Sequence, residues 1–593
     1  MGAPAGGSWL LSPIGSAPQF TGADFSEDDL LYAKTAEDFV RDEVLTRLDE
    51  LESKKEGLMP ALLKRAGELG LLMVDIPETY GGLGLRKTTS MLVSERGALC
   101  ASFSVSWGAH TGIGTLPLVY YGTEAQKQRY LPKLATGEWL AAYALTEPQA
   151  GSDALAARTR AVLEPDGKTY RLTGTKQFIT NAGFADLFTV FAKVDGEKFT
   201  AFLVERDTPG LSLGPEEHKL GIRGSSTRQL ILEDAPVPAD RVLGEIGRGH
   251  KIAFNILNIG RFKLGAGAGG AAKDCLRIAL AYARDRHQHG RAIASFGMIQ
   301  RKLADMATRI YVADSMSYRT AGLMDDAAAA VDPDAPDAAA RLVREAVEEY
   351  TIEASILKVF GTEALDFVAD ESLQILGGYG FTADYPVERH YRDSRINRIF
   401  EGTNEINRLI IPATLVKLIG SGRLPYPDFM QQVDAEVADR GAWPPAQEGP
   451  LKREIRCAEV AKRVIAYTAR LLIERSLDSL KDKQQHLEIL ANMIIDTYAM
   501  DSVVNRTRLL LGTGPQEDDD LRLAMTNVFA SSANERVIDG ARRIMVNEFE
   551  GEELRQQLAV EKIVPNMPIR TIAVKTRISE ALVARGLGPV FLR

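Results

Sequence analysis

The sequence predicts a mainly helical α+β protein with a β domain in the middle of the chain, and three observations carry this prediction. Early in the chain, apolar residues such as Leu58, Leu62 and Ala66 recur at helical spacing. Near Tyr143 this pattern gives way to short strand-like runs that are joined by tight turns, with no helix between them. After Gly249 long helical stretches return and continue through most of the remaining chain.

These changes of pattern divide the chain into six predicted regions. Composition alone marks two of them, because Gly, Ser, Ala and Pro at the start indicate loose order, and Pro and Gly after the bundle indicate a linker. An Ala/Asp/Pro insert at Asp325–Pro336 is predicted to be an exposed loop. The regions are a flexible lead-in (1–24), an N-terminal helical domain (25–142), a middle antiparallel β-barrel domain (143–246), a helical bundle (247–420), a linker (421–450) and an additional C-terminal helical domain (451–593).

Composition narrows the class of protein. The chain of 593 residues carries a net charge of −9, which argues against a broad nucleic-acid-binding surface. Its three cysteines form no CxxC pair and its seven histidines form no ligand cluster, so neither a disulfide framework nor a metal site is predicted. No apolar run reaches the ~18 residues of a membrane-spanning helix. We therefore predict a soluble, cytoplasmic protein that binds no metal and no nucleic acid.

One carboxylate is a candidate catalytic base. Glu401 lies between Phe400 and Gly402, with Ile399 one residue further back. Apolar neighbours can desolvate the carboxylate and raise its pKa toward that of a base near neutral pH, and the glycine leaves the Glu401 N–H free to face a ligand. This suits proton abstraction next to a carbonyl, because the N–H can hold the charge that develops on oxygen. The alternative is a helix start with Glu in its first turn.

The segment Gly265–Gly270 contains the GxGxxG pattern of a dinucleotide-binding loop. That loop needs a strand before it and a helix that opens at it, whereas the preceding residues have a helical pattern. We therefore interpret these small residues as permitting the close packing of another helix.

Five motifs, in order, resemble the signature segments of the acyl-CoA dehydrogenase family and cover roughly residues 25–420. They are Tyr143–Asp153, Phe178–Gly183, Lys219–Arg228, Gln374–Phe381 with the later Arg392 and Asp393, and Phe400–Asn404. The chain departs from the family pattern at Gln149, where Gly or Ser is usual, at Phe178, where tryptophan occurs, and at His289, where Phe is common. The resemblance implies the same order of helical, β and helical domains, with FAD as the cofactor.

The resemblance also implies which residues contact FAD, which is expected at the junction of the β domain and the bundle. Within one subunit the expected contacts are Tyr143, Leu145, Thr146, Ser152, Phe178, Thr180, Thr403 and Glu405. Arg286, Gln374 and Gly378 match positions that hold the ADP half of FAD across a subunit interface. A homo-oligomer, expected to be a dimer, follows from this resemblance.

By the same resemblance, Glu401 is the base that takes the α-proton of an acyl-CoA while the β-carbon gives hydride to the flavin. The Glu401 N–H and a ribityl hydroxyl are expected to hold the thioester oxygen. Some members carry the base on an earlier helix, at the position matched here by Gly260, and a glycine cannot be a base. The expected substrate contacts are Phe400, Gly402, Arg261 and Ser152.

The C-terminal extension resembles that of the very-long-chain branch, whose members are typically dimers. Two sets of residues have two interpretations each. A deep acyl channel or plain helix packing explains the small residues Gly108, Ala109, Gly112 and Gly114. A peripheral membrane contact or a packed core explains the basic residues Arg536, Arg542 and Arg543 beside apolar Val537, Ile538 and Ile544.

The predicted function is FAD-dependent α,β-dehydrogenation of a long-chain acyl-CoA to trans-2-enoyl-CoA in fatty acid β-oxidation, with an electron-transfer flavoprotein as electron acceptor. Two alternatives stay open. An acyl-CoA oxidase would use the same base and flavin but pass electrons to oxygen, and a non-catalytic family member would serve as an assembly or DNA-binding partner. The retained Glu401 and the acidic net charge argue against the second alternative.

Overall fold

The N-terminal region is built from short helices, some of which begin at polar capping residues. The computed structural model describes residues 4–333, 335, 337–438, 449–558, 569–588 and 591. The helices of this region are α1 (Glu27–Phe39), α2 (Leu48–Glu52), α3 (Leu58–Glu68), α4 (Lys87–Arg96), α5 (Ala101–Gly108), α6 (Leu116–Tyr121) and α7 (Glu124–Thr136). Ser26 caps α1 by accepting from the Asp29 N–H, and the Asp29 carboxylate accepts from the Ser26 N–H in return. A π-helical segment, Ala109–Gly114, continues α5.

The middle domain is one eight-stranded sheet in which most neighbouring strands are antiparallel. Its strands are β1 (Ala141–Ala144), β2 (Arg160–Leu163), β3 (Thr169–Thr180), β4 (Leu187–Val194), β5 (Lys198–Glu205), β6 (Leu211–Leu213), β7 (Thr227–Pro238) and β8 (Val242–Leu243). The order is β6-β7-β3-β2-β4-β5-β8, and β1 lies beside β4. The long pair β3–β7 contains two register shifts, one of them between Lys176 and Ile179.

The prediction of an antiparallel sheet is corrected, and the prediction of a barrel is not confirmed. Both β1 and β2 pair with the same edge of β4 in parallel, so the sheet is mixed. Among the described residues β6 and β8 remain the two ends of the sheet and do not pair with each other, so no closed barrel is found. The physical reason is that β4 buries almost every side chain on both faces, which is typical of a strand with parallel neighbours rather than of one with a solvated face.

Long helices form the bundle that follows and the C-terminal region. The bundle contains α8 (Gly249–Asp285), α9 (Gly297–Ala329), α10 (Ala338–Leu342), α11 (Thr351–Leu376), α12 (Pro386–Ser394) and α13 (Asn404–Gly420). A hairpin of β9 (His287–Gln288) and β10 (Arg291–Ala292) joins α8 to α9. The later helices are α14 (Tyr426–Ala438), α15 (Lys452–Ser476), α16 (Gln484–Leu511), α17 (Asp519–Glu548), α18 (Gly551–Gln557) and α19 (Thr571–Arg585).

The GxGxxG segment lies inside α8 and serves helix packing, as the sequence predicts. A Cβ added at Gly361 of α11 would lie 3.2 Å from the Gly265 Cα, so the two backbones are in near contact. On another face of α8, a Cβ added at Gly270 would lie 1.9 Å from the Glu95 carbonyl oxygen of α4. These close approaches bind α8 to both neighbours.

The segment predicted to be a flexible lead-in is packed against the bundle wherever it is described. The Gly6 and Gly7 N–H groups donate to Glu349 and Glu353, at 2.9 and 2.7 Å. Trp9 is 7% exposed and its ring lies 4.8 Å from that of Tyr498, centroid to centroid. The composition of this segment predicts local flexibility. Its observed conformation is instead determined by contacts with residues hundreds of positions away in the chain.

Two further predicted loops contain helix. In the predicted linker 421–450, α14 buries Met430 and Val433, and residues 439–448 lie outside the described residues. The predicted exposed loop Asp325–Pro336 begins inside α9, and the Asp325 carboxylate accepts from the Lys87 N–H at 2.6 Å. Asp325 therefore caps the start of α4, which its place in an Ala/Asp/Pro-rich stretch does not reveal.

The C-terminal helices join the bundle through buried ion pairs. Asp501 of α16 accepts from Arg319 of α9 and from Lys462 of α15, each at 2.5 Å. Val537 and Ile544, which the sequence offers for a peripheral membrane surface, are each 1% exposed and belong to the core of this region. Within the described ranges, no helix combines the length and the apolar character needed to cross a membrane.

The close contact at Gly270 yields a stability prediction. Gly270→Ala should lower the melting temperature, because its Cβ would overlap the Glu95 carbonyl and force α4 and α8 apart, at a cost of about 1–3 kcal/mol. Gly267→Ala is the matched control in the same helix, because a Cβ there meets nothing within 4 Å; it should stabilise by up to about 1 kcal/mol. Thermal unfolding followed by circular dichroism compares the two variants, and equal melting temperatures would contradict this packing.

Candidate active site

Glu401 lies in the turn between α12 and α13, with its carboxylate directly on α8. Its φ is +57° and that of Gly402 is +78°, so two successive residues have left-handed backbone. A Cβ added at Gly260 would lie 2.5 Å from Oε2 and 2.8 Å from Cδ of Glu401. A Cβ at position 260 would therefore displace this carboxylate, and the glycine leaves room for it.

Burial makes Glu401 a stronger base than an ordinary carboxylate. Its Oε2 is buried and has no hydrogen-bond partner among the described residues. Burial raises the pKa of the carboxyl to about 7, while Arg261 and Lys358 act in the opposite direction. The sequence predicts the raised pKa but ascribes it partly to Ile399, which is 48% exposed. Gly260 of α8 lies against the carboxylate, and Phe400 lines the same cavity.

The turn is held by two side chains from different helices. Arg261 of α8 donates from Nε to the Glu401 carbonyl oxygen at 3.1 Å and from Nη1 to Asn258 at 2.8 Å. Asn407 of α13 donates to the Gly402 carbonyl oxygen at 2.9 Å. The described residues include no acceptor for the Glu401 N–H. Arg261 therefore braces the backbone of the candidate base, and its predicted contact with substrate stays a prediction.

A cavity of about 190 Å³ leads away from Glu401 between three walls. The wall from α8 consists of Gly260, Leu264, Gly267, Ala268 and Ala271. The wall from α4, α5 and the π-helical segment includes Ser94, Ala98, Val105, Gly108, Ala109 and Gly112. The third wall includes Phe400, Asn397, Ser394 and His390. Of the small residues that the sequence places at a channel end, only Gly114 is not in this wall, because it packs on Ala141.

An exposed aromatic residue lies two positions before a residue that lines this cavity. Phe178 is 61% exposed, has a φ of +59°, and lies at the register shift in β3. Thr180, two residues later, lines the cavity together with Glu401. An uncovered phenyl ring with left-handed backbone is a surface that a flat heteroaromatic ring could cover, so these residues fit an isoalloxazine.

The other predicted residues of the β domain lie in β1 or in the segment after it, and they do not line the Glu401 cavity. Tyr143 is buried and donates to the Ala253 carbonyl oxygen at 3.3 Å, and burial, followed by the charge of Glu401, raises the pKa of its hydroxyl well above the usual value. The Thr146 carbonyl oxygen accepts from the Gln177 N–H at 2.8 Å, next to Phe178. Leu145 is buried, whereas Ser152 is exposed in the loop after it.

The start of α13 carries two more predicted residues. Thr403 accepts from the Ile406 N–H at 3.2 Å and so caps α13. Glu405 is exposed in the first turn, and hydrogen bonds from its own backbone N–H and from Thr403 lower the pKa of its carboxyl.

The three residues predicted to hold ADP across an interface form a separate surface. Arg286, Gln374 and Gly378 are exposed and do not line the Glu401 cavity. The Arg286 guanidinium lies 5.7 Å from the centroid of the Tyr379 ring, which brings it to the turn that contains Gly378. His289 is exposed in the adjoining hairpin, edge-on to Phe296.

Sequence reasoning misses a buried lysine and the polar groups linked to it, which we call the Lys358 relay. Lys358 of α11 donates to Asn404 at 2.7 Å, and burial lowers the pKa of its ammonium group to about 7, although the charge of Glu401 opposes this. Asn404 donates to Glu363 at 3.1 Å. Arg408 holds both oxygens of Glu363, at 2.8 and 3.0 Å, and donates to Asn492 of α16 at 2.8 Å. The available signal is a single lysine in an apolar helical stretch.

Known domains match this chain over four segments. The N-terminal, middle and C-terminal domains of acyl-CoA dehydrogenase match residues 26–138, 142–235 and 247–416, and a second acyl-CoA dehydrogenase C-terminal domain matches residues 460–562. A probable acyl-CoA dehydrogenase of Bacillus subtilis (strain 168) is 45% identical over 573 residues, which are 96% of each chain. The chain belongs to the acyl-CoA dehydrogenase family.

Two other relatives agree with this assignment. The crystal structure of an acyl-CoA dehydrogenase from Bacillus anthracis, complexed with FAD, is 45% identical, with a TM-score of 0.96 over 98% of this chain and 99% of that one. The mitochondrial very long-chain specific acyl-CoA dehydrogenase of Bos taurus is 38% identical over 495 residues, 79% of this chain and 72% of its own length. The chain is an FAD-dependent oxidoreductase, as the sequence predicts.

The charges around Glu401 yield a prediction about pH dependence. Arg261→Gln removes the cation that most lowers the pKa of Glu401, so the apparent pKa of flavin reduction by acyl-CoA should rise by about 1 pH unit. A carboxylate can act as a base only when it is deprotonated, so the rate at pH 7 should fall and recover at higher pH. Stopped-flow bleaching of the flavin across pH 6–9 (roughly the range in which such a group titrates) measures this.

Arg261→Lys is the control, because lysine keeps the positive charge but lacks the two guanidinium N–H donors that bind the Glu401 carbonyl oxygen and Asn258. Its apparent pKa should stay near that of the unmodified protein even if its rate is lower. The electrostatic assignment is wrong if both variants have the same apparent pKa.

Proposed function

We propose that this acyl-CoA dehydrogenase introduces the α,β-double bond of a long-chain acyl-CoA, giving trans-2-enoyl-CoA, as a step of fatty acid β-oxidation. The observation that carries the proposal is the Glu401 carboxylate, desolvated on Gly260 at the mouth of a deep, narrow cavity. A base with a pKa of about 7 is matched to proton abstraction near neutral pH.

In the proposed reaction Glu401 takes the α-proton of the bound thioester. The Glu401 N–H, which has no acceptor among the described residues, donates to the thioester oxygen as negative charge develops there. Arg261 and Asn407 keep this N–H and the carboxylate in fixed positions, because they hold the carbonyl oxygens of the same turn. FAD, when bound, supplies the acceptor for the β-hydride.

The proposed cofactor contacts fall into two groups. Tyr143, Leu145, Thr146, Ser152, Phe178, Thr180, Thr403 and Glu405 would contact the FAD of their own subunit. The exposure of Arg286, Gln374 and Gly378 supports the proposal that they meet the cofactor of a second copy, and therefore that the enzyme is a homodimer. Phe400 and Gly402 would contact the substrate together with Arg261 and Ser152, and an electron-transfer flavoprotein would accept the electrons.

The length of the cavity supports a long acyl chain. Gly260 and Ala271 both line it and are eleven positions apart in α8, which corresponds to roughly 16 Å of helix. A Cβ added at Gly267 or Gly108 meets nothing within 4 Å, so the walls leave space where larger side chains would fill it.

The assignment of the base is tested by anaerobic mixing with acyl-CoAs of graded length. Glu401→Gln should keep the yellow colour of bound FAD and lose flavin bleaching by about 10³-fold, because the neutral amide cannot take the α-proton. Glu580→Gln, which changes an exposed carboxylate of α19, is the control and should bleach normally. Normal bleaching of Glu401→Gln would refute the assignment, and a protein that binds no FAD would refute the enzymatic function.

The same experiment in air tests the electron acceptor. For a dehydrogenase, the bleached flavin should regain its colour rapidly with electron-transfer flavoprotein and slowly with oxygen. Rapid recovery with oxygen alone would replace the proposal by the acyl-CoA oxidase alternative.

Chain-length preference is tested at Gly267. Gly267→Leu places a branched side chain in the cavity about 10 Å along α8 from Gly260. We expect kcat/KM for hexadecanoyl-CoA to fall by about tenfold or more, while the value for butanoyl-CoA on the same variant changes little. An equal loss with both substrates would contradict the proposed path of the acyl chain.

A further inference from the structure

A second cavity, of about 880 Å³, lies between the bundle and the C-terminal helices. Residues of α9, α11 and α13 form one side, and residues of α16, α17 and α19 form the other. It shares no lining residue with the Glu401 cavity. Its volume falls within the range of roughly 300–1,000 Å³ that small-molecule sites occupy. The dehydrogenation chemistry described above makes no use of it.

Most charged groups in this second cavity are already paired. Three pairs join opposite walls or adjacent helices: Arg408 with Glu363 at 2.8 Å, Arg536 with Asp496 at 2.6 Å, and Lys575 with Asp305 at 2.8 Å. Glu535, Asp539 and Arg543 also line it, but all three are exposed and lie at its rim. The charges of these three pairs therefore cancel one another.

Arg309 of α9 is a half-buried cation that lines the cavity without a close ion-pair partner among the described residues. Its guanidinium carbon lies 3.7 Å from the centroid of the Phe367 ring, and no carboxylate of the described residues comes within 4.0 Å of it. Burial lowers the pKa of Arg309 and the like charge of Arg536 lowers it further, while the charges of Asp305, Asp496 and Glu363 act in the opposite direction. The stacked face leaves the edge of the guanidinium, with its fork of N–H donors, available to a ligand.

Apolar side chains in the same cavity supply a second kind of contact. Phe360 and Phe529 meet edge to face with ring centroids 5.9 Å apart, and Ile489 and Met493 of α16 also line the cavity. We propose that this cavity binds an amphipathic organic anion, with a carboxylate or phosphate group on the edge of Arg309 and an apolar body against these side chains. The planar guanidinium fork matches the oxygens of both anionic groups.

The site lies next to the Lys358 relay, because Glu363 and Arg408 belong to both. A ligand here would therefore sit beside the chain of hydrogen bonds that runs through Asn404 to Lys358. The proposal does not depend on which acyl-CoA is the substrate, because it rests on a different cavity.

Binding is measured by isothermal titration calorimetry on the full-length, FAD-loaded enzyme, with decanoate and decyl phosphate as separate probes and inorganic phosphate as the headgroup alone. The flavin absorbance is recorded in parallel, because occupation of the Glu401 cavity should perturb it whereas the second cavity should not. We expect saturable binding of at least one amphipathic probe without a flavin change, and much weaker binding of inorganic phosphate. The preferred probe tells a carboxylate ligand from a phosphate ligand.

Two variants and a control test the location. Arg309→Gln should weaken this binding about tenfold or more, and Ser532→Trp, which fills the cavity from α17 and leaves Arg309 intact, should abolish it. Arg543→Gln at the rim should bind normally. The proposal is overturned if neither amphipathic probe binds the unmodified enzyme, or if Ser532→Trp binds as the unmodified enzyme does. Unchanged binding by a folded Arg309→Gln overturns it equally, and if that variant does not fold, Ser532→Trp decides.

Discussion

The contact between the Glu401 carboxylate and the backbone of α8 at Gly260 is the constraint on which the rest of the site depends. It requires a residue without a side chain at position 260 and left-handed backbone at Glu401 itself. The same contact removes water from the carboxylate and raises its pKa to about 7. Arg261, one residue after Gly260, then reaches the Glu401 carbonyl oxygen, so one turn of α8 both desolvates the base and fixes its backbone.

The C-terminal helices are connected to this contact through polar groups as well as through apolar packing. Asn492 of α16 accepts from Arg408, and the Lys358 relay continues from there through Glu363 and Asn404. A hydrogen-bonded charge pair on the surface contributes little to the free energy of unfolding. These groups are half-buried or buried, and each satisfies a donor or acceptor of its neighbour, so the network contributes more. The extension is therefore joined by hydrogen bonds to Lys358, whose charge acts on the candidate base Glu401.

The sequence predicts those features that depend on local pattern. Helical periodicity gives the helical regions, and the Phe400-Glu401-Gly402 segment indicates the candidate base through its own local chemistry. What the sequence cannot predict depends on partners far along the chain. The sheet is mixed because two strands, β1 and β2, pair with β4 in parallel. The N-terminal segment is ordered because Trp9 packs against Tyr498. The sequence assigns Arg261 only by its place in a motif. The structure shows that its guanidinium donates to the carbonyl oxygen of Glu401, which is 140 residues later in the chain.

The balance of charges at Glu401 serves both halves of the proposed catalytic cycle. A strongly raised pKa helps the carboxylate to take an α-proton, but it also slows the release of that proton afterwards. Arg261 and Lys358 limit the rise, because each favours the charged carboxylate. Burial lowers the pKa of Lys358 to about 7, while the charge of Glu401 raises it. The two groups therefore titrate as a linked pair. Protonation of Glu401 removes the charge that raises the pKa of Lys358, and this favours loss of the Lys358 proton.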